Sequence, residues 1–575
     1  MTKDTAGQAT ASRKGRRRGR PGPLAVLAWI AAAICLLPMI AVALAALTGG
    51  WEVTGRLVDT VLPRYVGTTA WLILLVGTGT AVIGTASAWL VTATRFPGRR
   101  VLEVALALPL AFPAYVLAYA YTDFLDHPGL VQTTLRDLTG WGPRDYWFPE
   151  IRSLGGAAAM LTFVLYPYVY LLARAAFLQQ SATAYIAART LGQRPWGAFR
   201  RVSLPIARPA IAGGVLLALM ETLADFGTVS YFGVQTFATG IYQSWFSFFD
   251  RGAAAQLALC LLTVALVLAT LERRQRRHQR HHAAGRRFEA MQPAPLSGAR
   301  AGLAFTACLL PVFFGFILPT VLLLSMAWDS GQILFTDRYL GFLRNSLVMA
   351  GIAAVLTVAG AIALGFNARL HPTRPARAAL RIAGLGYAVP GGVIAVGLLV
   401  PFAAFDNAVD AFMEARFGID TGLLITGSIW LLVAAYMVRF MAAALSAYDA
   451  GLATVNPNID AVARTLGKTP TGMLRGVHLP ILRPSILTAA LIVFVDVMKE
   501  LPATLIMRPF NFDTLAVQAH RLAADERLAE AAVPSLVIMA VGLIPVAILC
   551  WGLGRETTTE RRFVPDPDAD AQAAE

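Results

Sequence analysis

Charged residues are scarce in this sequence: Asp, Glu, Lys and Arg make up 14% of 575 residues, against 57% hydrophobic residues. Soluble globular chains carry about 25% charged residues, because water has to be held at their surfaces. A water-soluble protein is therefore excluded. Cysteine is almost missing, and Cys35, Cys260, Cys308 and Cys550 stand singly in apolar runs, with no CxxC and no metal spacing. They read as small buried hydrophobes. Histidine is rare too. Its one cluster, His278, His281 and His282, is embedded in arginines and reads as a solvated basic linker rather than a metal site. An embedded enzyme would need a catalytic constellation, yet there is no HExxH, no paired histidine ligands and no nucleophile motif.

What the chain has is apolar length. Its runs repeatedly reach the roughly 20 residues needed to cross a bilayer core, so lipid is its solvent. Reading those runs against charged punctuation predicts spans at 24–47, 68–93, 102–124, 156–178, 207–229 and 253–271, then 301–327, 346–368, 379–404, 421–446, 484–506 and 531–553. The expectation is an all-α polytopic membrane protein with about 12 transmembrane helices.

Lys and Arg are retained on the cytoplasmic side of membranes. With the N-terminal tail inside, the inside segments (among them 174–208, 272–300 and 439–483) hold 36 of the 49 Lys and Arg, the outside segments hold 12, and Lys499 lies within a span. Both termini are thus expected in the cytoplasm. The same bias explains most of the net charge of +15, so the basic run at 13–20 needs no nucleic-acid partner. The first span, with 24 apolar residues, is too long for a typical signal peptide and reads as a retained helix.

The sequence also repeats itself. Ala188-Arg189-Thr190-Leu191-Gly192 recurs 275 residues later as Ala463-Arg464-Thr465-Leu466-Gly467. At the same offset Pro195 matches Pro470, Gly197 matches Gly472, and Leu204-Pro205-Ile206 matches Leu479-Pro480-Ile481. Upstream, AlaPheProAlaTyrVal at 111–116 resembles AlaValProGlyGlyVal at 388–393. The chain is a tandem duplication, and six spans per half make the repeat parallel rather than inverted. Its parts are a basic tail (1–23), a first unit (24–271), an Arg/His-rich linker (272–300), a second unit (301–554) and a tail (555–575). In each half the matched block falls between the fourth and fifth spans and reads as a short helix, a glycine turn and a second short helix opened by proline. Pro205 and Pro209, with Pro480 and Pro484, are expected to break the chain before the next span. Gly467-Lys468-Thr469 imitates the end of a phosphate-binding loop, but Val462 stands where its first glycine is required.

Four acids fall in predicted spans. Glu221 and Asp225 lie four apart, as do Asp496 and Glu500 at the matched positions, with Lys499 beside them. Intramembrane charge is expensive and faces a cavity or a partner. The acids either line a cation pathway or pair between helices, near the outer mouth by a count of ~1.5 Å per residue along the helix. A fixed metal cage is not expected, since no His or Cys joins them.

The matched block resembles the EAA loop of binding-protein-dependent ABC importer permeases. That resemblance implies a type I importer fold, with Ala188, Leu191, Gly192, Pro195, Leu204 and Pro205, and Ala463, Leu466, Gly467, Pro470, Leu479 and Pro480, forming levers that two copies of a cytoplasmic ATPase would grip. Tyr185 and Asp460 stand near the position where the family often has Glu. The stretches from Glu221 to Thr228 and from Asp496 to Leu515 resemble ferric-iron importer permeases, which are also fused double permeases. The resemblance implies a bacterial inner-membrane location, an extracytoplasmic solute-binding protein docking on loops such as 125–155, 230–252 and 508–530, and ATP and Mg used by the partner ATPase, with no cofactor held by this chain. Thiamine and aminophosphonate importers remain alternatives for the substrate. An ion-coupled secondary transporter is the rival of another class.

Overall fold

The computed structural model describes residues 23–48, 51–180, 182–279, 293–331, 336–453 and 455–561. The N-terminal basic run and His281 and His282 lie outside them, as do the middle of the linker (280–292) and the end of the C-terminal tail. Among the described residues, 11 helices are long and apolar enough to cross a membrane, and one bent pair brings the number to 12. The first half contributes Pro23–Thr48, Leu62–Ala93, the bent pair beginning Arg99–Ala111, Leu154–Leu178, Pro195–Ala224 and Arg251–Gln275. The second contributes Gly298–Asp329, Asp337–Leu370, Gly391–Phe417, Ile429–Leu452, Pro470–Lys499 and Leu528–Ile548. An all-α polytopic fold of two tandem six-span halves is what the repeat predicts.

Local chemistry sets several boundaries. Ser153 and Ser428, 275 residues apart, cap the fourth span of each half, their hydroxyls accepting from the N–H of Gly156 and Leu431. Small residues let spans touch at backbone distance. A Cβ on Gly84 would lie 2.6 Å from the Cβ of Val169, so the second and fourth spans of the first half meet there without side chains between them.

Three expectations need correction. The third span of each half is not one straight helix. Phe112 and Pro113, and Val389 and Pro390, are extended, because the residue before a proline is pushed out of the helical region. In the first half the chain bends there by 94°. In the second half the helix after the break runs to Phe417, beyond the predicted end at 404, and the next span starts at Ile429 rather than 421. Asp406 explains this: its carboxylate accepts from the N–H of Ile425 and Thr426, 3.1 and 2.7 Å away, so a charge that reads as the end of a span is an internal tie to the following loop. The prolines after the matched blocks do not interrupt the chain either. Pro205 and Pro480 follow one π turn each, Phe199–Ser203 and Leu474–His478. The wider turn carries the missing proline N–H without a break.

The halves are exchanged at their first spans. A Cβ on Gly397, in the second half, would strike Pro38 of the first span, and one on Gly315 would lie 2.8 Å from the carbonyl oxygen of Phe163 in the first half. Pro23–Thr48 packs on the second, third and fourth spans of the second half and on Arg251–Gln279 of its own half, while Gly298–Asp329 packs on the first half and on Leu528–Arg561. Near the end of the linker, Ala294–Pro295 pairs with Thr94–Arg95 as a two-residue parallel ladder, holding the start of the second half against the first.

Candidate functional site

Two features stand out, a pair of matched surface levers and a charged cavity between the halves. Each lever is a short helix ended by a glycine in the left-handed region: Ala182–Thr190 with Gly192 at φ 81°, and Pro457–Thr465 with Gly467 at φ 73°. The N–H of Gln193 reaches the carbonyl of Ala188 at 3.1 Å, and that of Lys468 reaches Ala463 at 3.0 Å. The N–H groups of Gly192 and Gly467 bond three residues back. Both are Schellman closures, which need a residue tolerant of positive φ. Leu191 and Leu466, one residue before the glycines, are 82% and 73% exposed. Pro195 and Pro470 are exposed as well, whereas Ala463 is buried and Ala188, Leu204, Pro205 and Leu479 are half-buried; Pro480 is exposed. The predicted lever residues thus divide into a presenting set and a supporting set.

The acidic position of the second lever is not at the surface. Asp460 is buried, 2.6 Å from Nε of Arg369 and 2.7 Å from Nε2 of His478. Arg369 also donates to the carbonyls of Leu452 and Val455. Burial would raise the Asp460 pKa, but the hydrogen bonds from Arg369 and His478 outweigh it and hold the carboxyl below the usual aspartate range. Asp460 therefore anchors the lever helix to the body of the second half. In the first lever Tyr185 does this with its ring, 5.8 Å from Trp89, which also meets Phe177 and Phe199.

The cavity, about 160 Å³, is lined by Tyr168, Glu221 and Asp225 from the first half and by Tyr387, Arg439, Asp496, Lys499 and Glu500 from the second. All five predicted pathway residues are brought together, but not at the outer mouth. Tyr168 and Arg439 sit in the middle stretches of Leu154–Leu178 and Ile429–Leu452, and the wall includes Pro113, where the third span breaks between two legs of similar length. The cavity lies about halfway across. The outward count fails because the fifth span ends at Ala224, and its counterpart at Lys499.

Asp225 and Glu500 consequently sit beyond those helices, in extended conformation. Each caps the short helix that follows. Asp225 accepts from the hydroxyl of Thr228 at 2.9 Å and the N–H of Val229 at 3.2 Å. Glu500 accepts from the N–H groups of Ala503 and Thr504 at 2.9 and 3.0 Å and from the Thr504 hydroxyl. The other two acids face basic partners. Oε2 of Glu221 is 3.9 Å from Nη2 of Arg439, across the boundary between halves, and Oδ1 of Asp496 is 3.3 Å from Nζ of Lys499. Sequence reasoning missed Arg439, counted with the following loop, and missed Tyr168 and Tyr387. A basic residue centred in an apolar run was the available signal for Arg439. The tyrosines gave none, because a tyrosine in a span reads as packing.

On the opposite side from the levers, Arg152 joins the halves. Its Nε is 3.0 Å from Asp126, and its two terminal nitrogens bond both carboxylate oxygens of Glu526 at 2.7 and 2.8 Å.

The chain matches the family described as binding-protein-dependent transport system inner membrane component twice, over residues 80–281 and 357–550. It is 26% identical to the Fe(3+)-transport system permease protein FbpB 2 of Haemophilus influenzae over 493 residues, covering 84% of this chain and 88% of that one. It is 24% identical to the probable ABC transporter permease protein y4fN of Sinorhizobium fredii, over 91% and 95% of the two chains. The sulfate transport system permease protein CysW of Escherichia coli aligns with one half, at 31% identity over 202 residues, 35% of this chain and 67% of that one. With two matched regions separated by the linker and both reaching across the levers and the cavity walls, this chain belongs to the binding-protein-dependent ABC transport permeases, non-catalytic membrane subunits whose ATPase is a separate chain.

Proposed function

We propose that this chain is the membrane pathway of a ferric-iron importer, fed by an extracytoplasmic binding protein and driven by two ATPase subunits held at its levers. The observation that carries the ATP-driven reading is the pair of leucines, Leu191 and Leu466, exposed at equivalent closures and without cover among the described residues. An external motor needs a rigid, apolar grip at each point of contact, and burial of an exposed leucine contributes roughly 1.5–3 kcal/mol. A secondary transporter has no use for two such grips. ATP and Mg belong to the partner, and the levers face the cytoplasm together with both termini, in keeping with the Lys and Arg bias.

Ferric iron is favoured over thiamine or an aminophosphonate by the relative from Haemophilus influenzae, whose name gives Fe(3+) transport and which this chain parallels over nearly its whole length. The test is uptake of labelled ferric iron into proteoliposomes holding the chain, its ATPase and its binding protein. ATP-dependent uptake is expected, and the double variant Leu191→Asp with Leu466→Asp should insert normally yet lose both ATPase association and uptake. Normal coupling in that variant would refute the lever assignment.

A further inference from the structure

The cavity holds a donor set that neither its acids nor its ion pairs account for. Tyr168, Glu221 and Tyr387 line the same cavity. These three groups come from three elements: the fourth and fifth spans of the first half and the short turn before the broken third span of the second. Arg439 stands beside them, its side chain only 12% exposed and its Nη1 buried without a hydrogen-bond partner. Among the described residues no three His, Cys, Asp or Glu side chains gather to hold a metal. What gathers here is phenol and carboxylate oxygen.

We propose that Tyr168, Tyr387 and Glu221 form a transient seat for ferric iron halfway across the membrane, an inference that rests on the ferric reading above. Hard cations take oxygen ligands, and carboxylates suit them; a trivalent ion further favours the anionic phenolate over a neutral donor. On arrival the ion displaces the hydroxyl protons of Tyr168 and Tyr387, which leave to water in the cavity, and two Fe–O bonds form without change of oxidation state. Asp496 lies across the same cavity as a second carboxylate, and Arg439 offers its unpaired N–H to any small anion that accompanies the metal. Three protein donors leave the remaining positions to water. The ion is therefore held briefly rather than stored, as conduction requires.

The pattern of divergence between the halves supports a specific seat. At the 275-residue offset Tyr168 faces Ala443, Arg439 faces Val164 and Lys499 faces Ala224, while Tyr387 aligns with Leu110 through the repeated AlaPhePro and AlaValPro stretches. Packing alone would not place every one of these polar groups opposite an apolar residue.

A phenolate bound to ferric iron has a visible charge-transfer band, which is read without any transport. The full chain with its ATPase, in lipid nanodiscs without ATP, is titrated with ferric nitrilotriacetate. The wild type should develop the band, gallium(III) should compete it away, Tyr168→Phe and Tyr387→Phe should each weaken it, and the double variant should lose it. No band in the wild type, or an unchanged band in the double variant, overturns the seat. Iron uptake by the wild-type complex without a band overturns the seat and leaves the ferric reading standing. Failure of that complex to take up iron at all removes the ferric reading itself.

Discussion

At the scale of single residues, the intramembrane acids separate into two kinds that composition treats as one. Asp225 and Glu500 accept from N–H groups at the starts of short helices, whereas Glu221 and Asp496 face Arg439 and Lys499. An amide keeps an acceptor oxygen and a methyl does not. Oε1 and Oε2 of Glu500 each accept one N–H, so Glu500→Gln keeps one of the two bonds and should retain transport at some loss of stability, while Glu500→Ala leaves both buried N–H groups unpaired and should cost about 1–3 kcal/mol, measured as lowered thermal stability in detergent. Glu221→Gln should reverse the pattern, with little loss of stability and a clear loss of uptake. That these acids would face a cavity or a partner was legible from their cost in lipid, and the structure gathers them in one cavity. Which acid caps and which faces the cavity was not, because it depends on helix ends at Ala224 and Lys499 that no charge or proline marks.

The two levers show how equivalent elements come to be fastened by different chemistry. One is tied by the ionic group Asp460, Arg369 and His478, the other by aromatic packing of Tyr185 on Trp89. Removing one partner of a buried ion pair typically costs ~3 kcal/mol or more. Asp460→Ala should accordingly speed hydrogen exchange over 457–467 and leave 182–192 unchanged. Acid should act in the same selective way. The Asp460 carboxyl is held below its unfolded value, so its contribution is present above the ordinary aspartate range and is lost as pH falls through the lowered value; exchange in the second lever should rise there first. The lever glycines and leucines could be read directly from the repeat, since a left-handed closure leaves a sequence signature. The anchoring could not, because Arg369 lies 91 positions from Asp460 and is brought to it only by the packing of the second span.

At the scale of the whole molecule, the 11 to 12 candidate crossings among the described residues and the tandem organisation follow from hydropathy and the internal match, but the exchange of first spans does not, because apolar helices carry no address on their surfaces. Each half holds a strut belonging to the other. Two separately expressed chains, cut within 280–292, should therefore copurify through a tag on either one, and removal of 1–48 should lower the stability of the second half more than that of the first. The Arg152 link to Glu526 is a weaker tie. Glu526 is held below its usual range by its bond to Arg152, yet an exposed pair contributes about 0–1 kcal/mol, so Glu526→Gln should leave melting unchanged while raising the rate at which the opposite side opens, read by spectroscopic labels across the gap. The covalent joining of unlike halves has a last consequence. A permease assembled from two copies of one polypeptide must repeat every wall residue about its axis. By carrying Arg439 and Tyr387 once each, this molecule has a cavity with two unlike walls, and an ion seated there as proposed would lie nearer one half than the other.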